Sequence, residues 1–288
     1  MKMKSLAGEK PVPGKSALAG ISYFLCQSRA ASAGWRALRG GAEPAAKRQG
    51  ARVTDYLIRK LSRYAPLAEE ERAALSTLPL RVRDYPRGGM IVHQGSRPEE
   101  SSVLLEGIAF RYKLLPDGAR QIVSLQIPGD FVDLHSLVLK PIDHAVAAAS
   151  PARVGHVSHR AMEALLSRYP RVARALMWSM ALDGAINREW LTIMGRRSAY
   201  EQLAHLFCEL YFRMGGAGQV KDGSFGLELT QAELGDVCGL STVHVNRSLQ
   251  ALRRDGLILL ENHCLSIPDI GALVKVAEFD PAYLHLLE

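Results

Sequence analysis

The sequence predicts an α+β chain in which a small antiparallel barrel or sandwich is followed by a long helix and a winged helix-turn-helix. Three observations carry that prediction. Between residues 88 and 155, short alternating segments are separated by Gly88-Gly89, Gly95, Gly107, Pro116-Asp117-Gly118, Pro128-Gly129-Asp130 and Gly155, a turn about every ten residues. From Arg171 to about Met194 a helical pattern runs with no breaker except Gly184. Thr230 to Gly256 holds two short helical segments joined at Gly239, and a polar turn between apolar residues follows directly.

The 288 residues suggest about two domains, and a hydrophobic fraction of 48% is ordinary for a globular protein. No apolar run approaches the ~20 residues of a transmembrane helix. Cys26, Cys208, Cys238 and Cys264 lie without CxxC spacing, which argues against a zinc site, an iron–sulfur cluster or a disulfide framework and fits a reducing cytoplasm. The formal net charge of +7 resides in the first fifty residues, where nine Lys/Arg meet only Glu9 and Glu43; the remainder balances at 27 basic against 27 acidic. Global charge therefore says nothing about partners of the body. That first stretch is rich in Gly, Ala, Ser and basic residues, lacks periodicity, and is predicted to be a disordered extension over 1–52. A basic arm touching DNA or an anionic surface is one alternative. An export signal at Ser16 to Cys26 is another, but that segment contains Tyr, Ser and Gly and is followed by no convincing cleavage site. The expectation is a fold that begins near Val53, preceded by an extension it does not need, such as one from a start codon assigned too far upstream.

From Val53 the pattern is regular. Thr54 to Arg63 and Ala68 to Leu75 read as short amphipathic helices. Strands are expected at Met90 to His93, Ser102 to Leu105, Ile108 to Leu114 and Ala145 to Val157, with Leu114 to Gln126 the clearest hairpin; they complete a domain over 53–157. His159 to Ser167 reads as a short helix, and Pro170 suits the first turn of the next. In that next helix Val172, Ser179, Ile186 and Ile193 recur seven apart, with Ala175, Leu182 and Glu189 between them. This is the seam of a parallel coiled coil, so 158–196 is expected to dimerise; the alternative is a helix packed on its own barrel. Ser198 to Met214 puts Tyr200, Leu203, Phe207, Leu210, Tyr211 and Met214 on one face, to pack beneath the motif of the last domain, 197–288.

Thr230 is a good N-cap and Glu233 can reach back to the cap's own N–H, so Thr-Gln-Ala-Glu is a capping box. Gly239 suits a left-handed C-cap, Ser241 caps a second helix running to about Arg254, and Asp255-Gly256 ends it. Ala232, Val237, Leu240, Val245, Leu249 and Leu252 pack the pair across the turn, leaving Thr242, His244, Asn246 and Arg247 outward. Such a face, small and polar with one fork-shaped cation, suits the DNA major groove. Arg247 can donate a bidentate pair to guanine, and Asn246 and Thr242 can bond base edges or phosphates. Leu257 to Leu260, Glu261-Asn262-His263 and Cys264 to Ile267 read as a two-stranded wing. Against this, Leu227 to Ile270 carries Arg247, Arg253 and Arg254 against Glu228, Glu233, Asp236, Asp255, Glu261 and Asp269, a local net of −3. Attraction for DNA then has to be focused on one helix, with help from Arg196 and Arg197, and doubled in a dimer.

In this order of parts, and in the runs GGMIVHQGSRPEESSVLLEG from Gly88, PGDF from Pro128 and LTQAELGDVCGLSTVHVNRSLQALRRDGLI from Leu229, the chain resembles the Crp/Fnr family of bacterial transcription regulators over about Asp55 to Ile267. The resemblance implies an antiparallel β-roll sensory domain like that which binds cyclic nucleotides, a long dimerisation helix and a winged helix-turn-helix DNA-binding domain. It also implies a homodimer on double-stranded DNA, two inverted half-sites about one helical turn apart, and contact with RNA polymerase. The candidate DNA contacts are Thr230, Ser241, Thr242, Val243, His244, Asn246 and Arg247. In the family a glutamate and an arginine four apart commonly open the reading helix. The arginine's place matches Arg247, whereas the glutamate's place is Val243, which cannot accept from a cytosine amino group but can touch a thymine methyl.

In members that bind cyclic AMP, a glutamate shortly after GDF holds the ribose, and an arginine followed by serine or threonine neutralises the phosphate. Here Leu134 stands in the glutamate's place and His144-Ala145 in that of the arginine and its neighbour. Without the guanidinium the phosphate loses a bidentate, charge-assisted pair, so cyclic AMP is not expected in the usual mode. The N-terminal cysteine cluster of the family's oxygen sensors cannot come from Cys26 alone, so no iron–sulfur centre is expected either. The candidate effector pocket is Asp133, Leu134, His135 and His144, with Asn187 and Arg188 from the long helix and Lys140 nearby. Either the histidines hold a metal, haem or other anionic ligand, or they belong to a roll whose ligand site has decayed; no CxxC, HxH or HExxH spacing supports ligation.

Two function classes follow. One is a dimeric, sequence-specific transcription factor controlled by an unidentified signal or by its own abundance. The other is a ligand-binding regulatory module whose C-terminal domain contacts protein, which the local charge of −3 favours. No nucleophile–base pair, phosphate loop or metal motif supports an enzyme.

Overall fold

The computed structural model describes residues 54–286; the expected extension over 1–52, the start near Val53 and Cys26 lie outside them. Two short helices come first, α1 (Asp55–Ser62), which buries Leu57 and Leu61, and α2 (Glu69–Ser76), where the Glu71 carboxylate accepts from the Ala68 N–H at 2.7 Å. They lie against a roll of two antiparallel sheets. One has the order β1-β7-β3, from β1 (Arg81–Tyr85), β3 (Glu100–Glu106) and β7 (Ala152–Ser158). The other has the order β2-β6-β4-β5, from β2 (Met90–Val92), β4 (Ala109–Leu114), β5 (Arg120–Gln126) and β6 (Ala145–Ala148). Val92, Leu104, Ala109, Val132, Val146 and Val154 form a buried cluster of the roll. Two details differ from the sequence reading. The strand expected over Ala145 to Val157 divides into β6 and β7, and β1 is an additional edge strand, mostly exposed and paired only with β7.

After the roll come α3 (His159–Arg168), whose cap Ser158 accepts from the Ala161 N–H at 3.3 Å, and α4 (Pro170–Arg196), 27 residues and so about 40 Å long. The coiled-coil seam predicted on α4 is corrected by the structure. Val172, Ala175, Ser179, Leu182, Ile186 and Ile193 are all buried within the single chain, so at these positions the helix packs on its own domains. Its opposite side carries a second 4-3 repeat: Ala173, Met177, Met180, Gly184, Asn187, Leu191 and Met194. On that side Met177 is 70% and Leu191 67% exposed.

α5 (Ala199–Gly216) opens with a Ser198/Glu201 capping box and supports the reading motif, α6 (Gln231–Cys238) and α7 (Thr242–Arg254). The wing has three strands where two were expected. β8 (Ser224–Gly226) adds to β10 (Cys264–Ser266), which also pairs β9 (Leu259–Glu261), in the order β8-β10-β9. Helix α8 (Ile270–Ala277) follows. The tight turn of the motif depends on two glycines. Gly239 has φ +65°, and a Cβ on Gly235 would sit 2.5 Å from the Leu240 carbonyl oxygen. One apolar cluster joins Phe110, Ile122 and Leu125 of the roll, Ile186 and Trp190 of α4, Phe207 of α5, and Leu234 and Leu249 of the motif.

Candidate nucleic-acid interface and sensory pocket

The ends of α6 and α7 are fixed by their own side chains. Thr230 Oγ1 accepts from the Glu233 N–H at 3.1 Å, and Glu233 accepts from the Thr230 N–H at 2.7 Å. Ser241 accepts from the His244 N–H at 3.4 Å. Val245, Ser248, Leu249 and Leu252 turn inward. Thr230, Ser241, Thr242, Val243, His244 and Arg247 are exposed, Val243 at 68%. Asn246, expected on that outer face, is half-buried: its Nδ2 donates to Gln231 at 3.1 Å, and its Oδ1 accepts from Gln250 at 2.9 Å. The sequence reading passed over Gln231 and Gln250. Gln250 stands four residues after Asn246 on one helical face, which was the available signal for that pair; Gln231, the first residue of α6, comes from fifteen residues upstream of Asn246.

Four of the six acidic residues behind the local charge of −3 are turned to other tasks. Glu233 pairs with Arg87 of the roll, and Asp236 pairs with Arg120 at 2.6 Å. Asp255 accepts from the Tyr200 hydroxyl at 2.8 Å, and Asp269 caps α8. The outward face of α7 carries Arg247 in its N-terminal half, with Arg254 two turns further on and the first-turn N–H groups of the helix at its start. The same pairings bind the reading motif to the roll, and Gln121 adds a bond to the Asp236 carbonyl at 2.7 Å.

In the roll, the 3-10 turn Leu134–Leu137 brings His135 against His144, with ring centroids 4.8 Å apart. The His144 Nδ1–H donates to Asp143 at 2.9 Å, and Asp143 also pairs with Lys113 at 3.2 Å. The Nε2 atoms of both histidines are buried and make no hydrogen bond among the described residues. Burial, then the charges of Arg111 and His144, hold His135 down to about 4; burial also lowers His144, against the bond to Asp143. Asp133 accepts from both the N–H and the hydroxyl of Ser102, yet burial outweighs these bonds and holds its carboxyl up at about 7. Leu134 belongs to the apolar cluster beneath α1 and α3. Asn187 and Arg188 are exposed on α4 in the single chain.

The residue here that sequence reasoning missed is Arg111. It is buried, donates to the carbonyls of Val132 at 2.8 Å and Phe131 at 3.0 Å, and pairs with Asp183 of α4 at 2.7 Å. A lone arginine inside the apolar strand Ala109–Leu114 was its signal. Two neutral imidazoles side by side can accept from a donor or bind a borderline metal ion, but among the described residues no set of three or more metal-ligating side chains comes together.

Behind the pocket a charged junction joins the two halves. Asp130 pairs with Lys60 of α1 and with Arg213 of α5 at 3.0 Å; Arg213 also pairs with Glu209 at 2.8 Å. Glu209, fully buried, accepts from Trp190 Nε1 of α4 at 2.8 Å and from the Tyr283 hydroxyl at 3.1 Å.

A β-roll joined through a long helix to a winged helix-turn-helix with an exposed reading face defines a DNA-binding type of regulator. The comparisons agree. Residues 82–169 match the cyclic nucleotide-binding domain, and 201–276 match the Crp-like helix-turn-helix domain. The chain is 30% identical over 236 residues to the transcriptional activator protein FnrL of Cereibacter sphaeroides, covering 80% of this chain and 93% of that one. It is 27% identical over 189 residues to the nitrogen fixation regulation protein FixK of Rhizobium meliloti, covering 64% and 81%. The structure of FixK2 from Bradyrhizobium japonicum shares the fold, with a TM-score of 0.62 at 24% identity over 69% of this chain and 98% of that one. The chain belongs to the Crp/Fnr family of transcription regulators, whose members are not enzymes. Among the described residues no helix is long and apolar enough to cross a membrane.

Proposed function

We propose that this DNA-binding transcription regulator works in the cytoplasm as a homodimer. It reads an inverted repeat through α7, with RNA polymerase as its further partner. The observation that carries the reading is the outward face of α7, where Arg247 stands exposed while the neighbouring carboxylates Glu233 and Asp236 are neutralised by Arg87 and Arg120. This pairing answers two of the six carboxylates that favoured a protein-contact module. Thr242, Val243 and His244 share the face, and Thr230 and Ser241 sit at helix N-termini where phosphates are received. The dimer contact is assigned to the exposed stripe of Met177, Met180, Gly184, Asn187 and Leu191, with Asn187 as the polar position that fixes register.

The effector is assigned to the pocket around Asp133, His135 and His144, and is not cyclic AMP bound in the family's usual mode. Leu134 supports this, being packed in the core, as does Arg111, each of whose three nitrogens already donates to a carbonyl or to Asp183. The test is in-cell mapping of bound DNA fragments, repeated with Arg247→Ala. A shared inverted-repeat motif that disappears in the variant is expected, with binding that weakens steeply with salt. No motif, or one indifferent to Arg247, overturns the reading.

A further inference from the structure

Three side-chain amides form a chain across the reading motif. Gln250 Nε2 donates to Asn246 Oδ1 at 2.9 Å, and Asn246 Nδ2 donates to Gln231 Oε1 at 3.1 Å. Gln231 is the first residue of α6, so the chain ties the reading helix to the helix that precedes it. Asn246 is half-buried and has both ends of its amide engaged, which leaves it one N–H and one acceptor lone pair. Gln250 is exposed and lies one turn beyond Arg247 on the same side of α7. Its carbonyl oxygen and second N–H remain available. Reversing all three amides would still leave Gln250 an acceptor and an N–H.

An acceptor and a donor side by side on one planar amide match the adenine edge in the major groove, where N6–H donates and N7 accepts. An exposed glutamine ordinarily loses its rotamer freedom on binding; here the bond that Gln250 donates to Asn246 already holds the amide plane, so less is lost. We propose that Gln250 reads an adenine in each half-site, and that Asn246, anchored on Gln231, is its positioning residue. The proposal rests on the assignment of α7 as the recognition helix.

The test is selection of binding sites from random duplex DNA by the full chain, for the wild type and for Gln250→Ala, Asn246→Ala, Gln231→Ala and Arg247→Ala. Affinities for the selected site and its single-base variants are then measured over a range of salt. The expected wild-type motif has one position where adenine is preferred by about tenfold to a hundredfold, the range a good bidentate pair supplies. In Gln250→Ala that preference vanishes while the other positions keep theirs. In Asn246→Ala it shrinks severalfold at the same position only, an outcome a general folding defect does not produce, and Gln231→Ala moves it in the same direction by less. Gln250→Ala weakening every sequence alike, with a shallower salt slope, makes Gln250 a phosphate contact and overturns the proposal. So does an Asn246→Ala variant that erases a base preference at a different position, because Asn246 then reads a base itself. A motif that depends on Arg247 and ignores Gln250 overturns this inference alone; a wild type that selects no motif, or one that ignores Arg247, overturns the recognition-helix reading with it.

Discussion

Leu191→Lys decides which side of α4 meets a second chain. Leu191 is 67% exposed in the single chain, so the substitution leaves the monomer's packing alone. Burying a whole leucine side chain stabilises by about 1.5–3 kcal/mol, so the exposed two-thirds contributes about 1–2 kcal/mol in each protomer. Two-fold symmetry applies the loss twice, and two lysines facing each other add repulsion. The dimer should weaken by about 2–4 kcal/mol, or about thirtyfold to a thousandfold in Kd. Sedimentation velocity across a concentration series measures that change, and an unaltered melting profile at low concentration shows that the fold is intact. DNA affinity should fall in parallel, since both half-sites must be read at once. The reasoning is refuted if Leu191→Lys associates like the wild type. It is equally refuted if Ile186→Ala, at a position 3% exposed and packed within the chain, dissociates the dimer without loosening the fold.

Arg213→Met should destabilise the protein by about 3–5 kcal/mol, because it strands Glu209 and half-strands Asp130 in a buried junction; adding Glu209→Gln should recover part of that in urea unfolding, and a single variant as stable as the wild type would contradict the account. The pocket has two opposing pH dependences. Asp133, held up at about 7, contributes stability that is full at low pH and lost as pH rises through about 7, whereas His135, held down at about 4, contributes stability present above 6.5 and lost as pH falls toward about 4. Asp133→Asn should therefore remove the alkaline loss and His135→Gln the acid loss, read as urea midpoints at roughly pH 5 and roughly pH 8; wild-type profiles in both variants would sink the assignment. Gly235→Ala should cost about 1–3 kcal/mol and weaken DNA binding, since its Cβ would stand 2.5 Å from the Leu240 oxygen; an unchanged melting temperature would show that the turn relaxes freely.

The reading motif was legible because its signals are local. Thr230 and Glu233 are three residues apart, Gly239 marks the turn, and Ser241 starts the next helix, so each cap can be read without knowing the rest of the fold. The same locality gave the Leu114 to Gln126 hairpin. What escaped depends on partners distant in sequence. Arg81–Tyr85 has little apolar alternation and becomes a strand because β7 offers it a ladder; β8 joins the wing from nearly forty residues upstream of β10, and Arg87 neutralises Glu233 from 146 residues away. The seam on α4 was misplaced for a different reason. The helix carries two apolar repeats, and the repeat of Val, Leu and Ile went to the chain's own core while that of Met, Gly and Leu was left outside. Periodicity put Asn246 on the outer face, where the structure has it half-buried, because periodicity is blind to where an amide spends its hydrogen bonds.

The Asp130, Arg213 and Glu209 junction makes the joint between roll and reading domain intolerant of half measures. Drawing these charges slightly apart would leave them facing one another across a poorly solvated gap, losing attraction before water could replace it. Intermediate openings are therefore the least favourable arrangements, and any reorientation of the reading domain passes between a sealed joint and a fully hydrated one. Asp130 is also the residue immediately before the stretch whose Phe131 and Val132 carbonyls Arg111 grips beside the histidine pocket. The joint and the histidine pocket are therefore built on consecutive residues of one loop, Asp130 to Asp133.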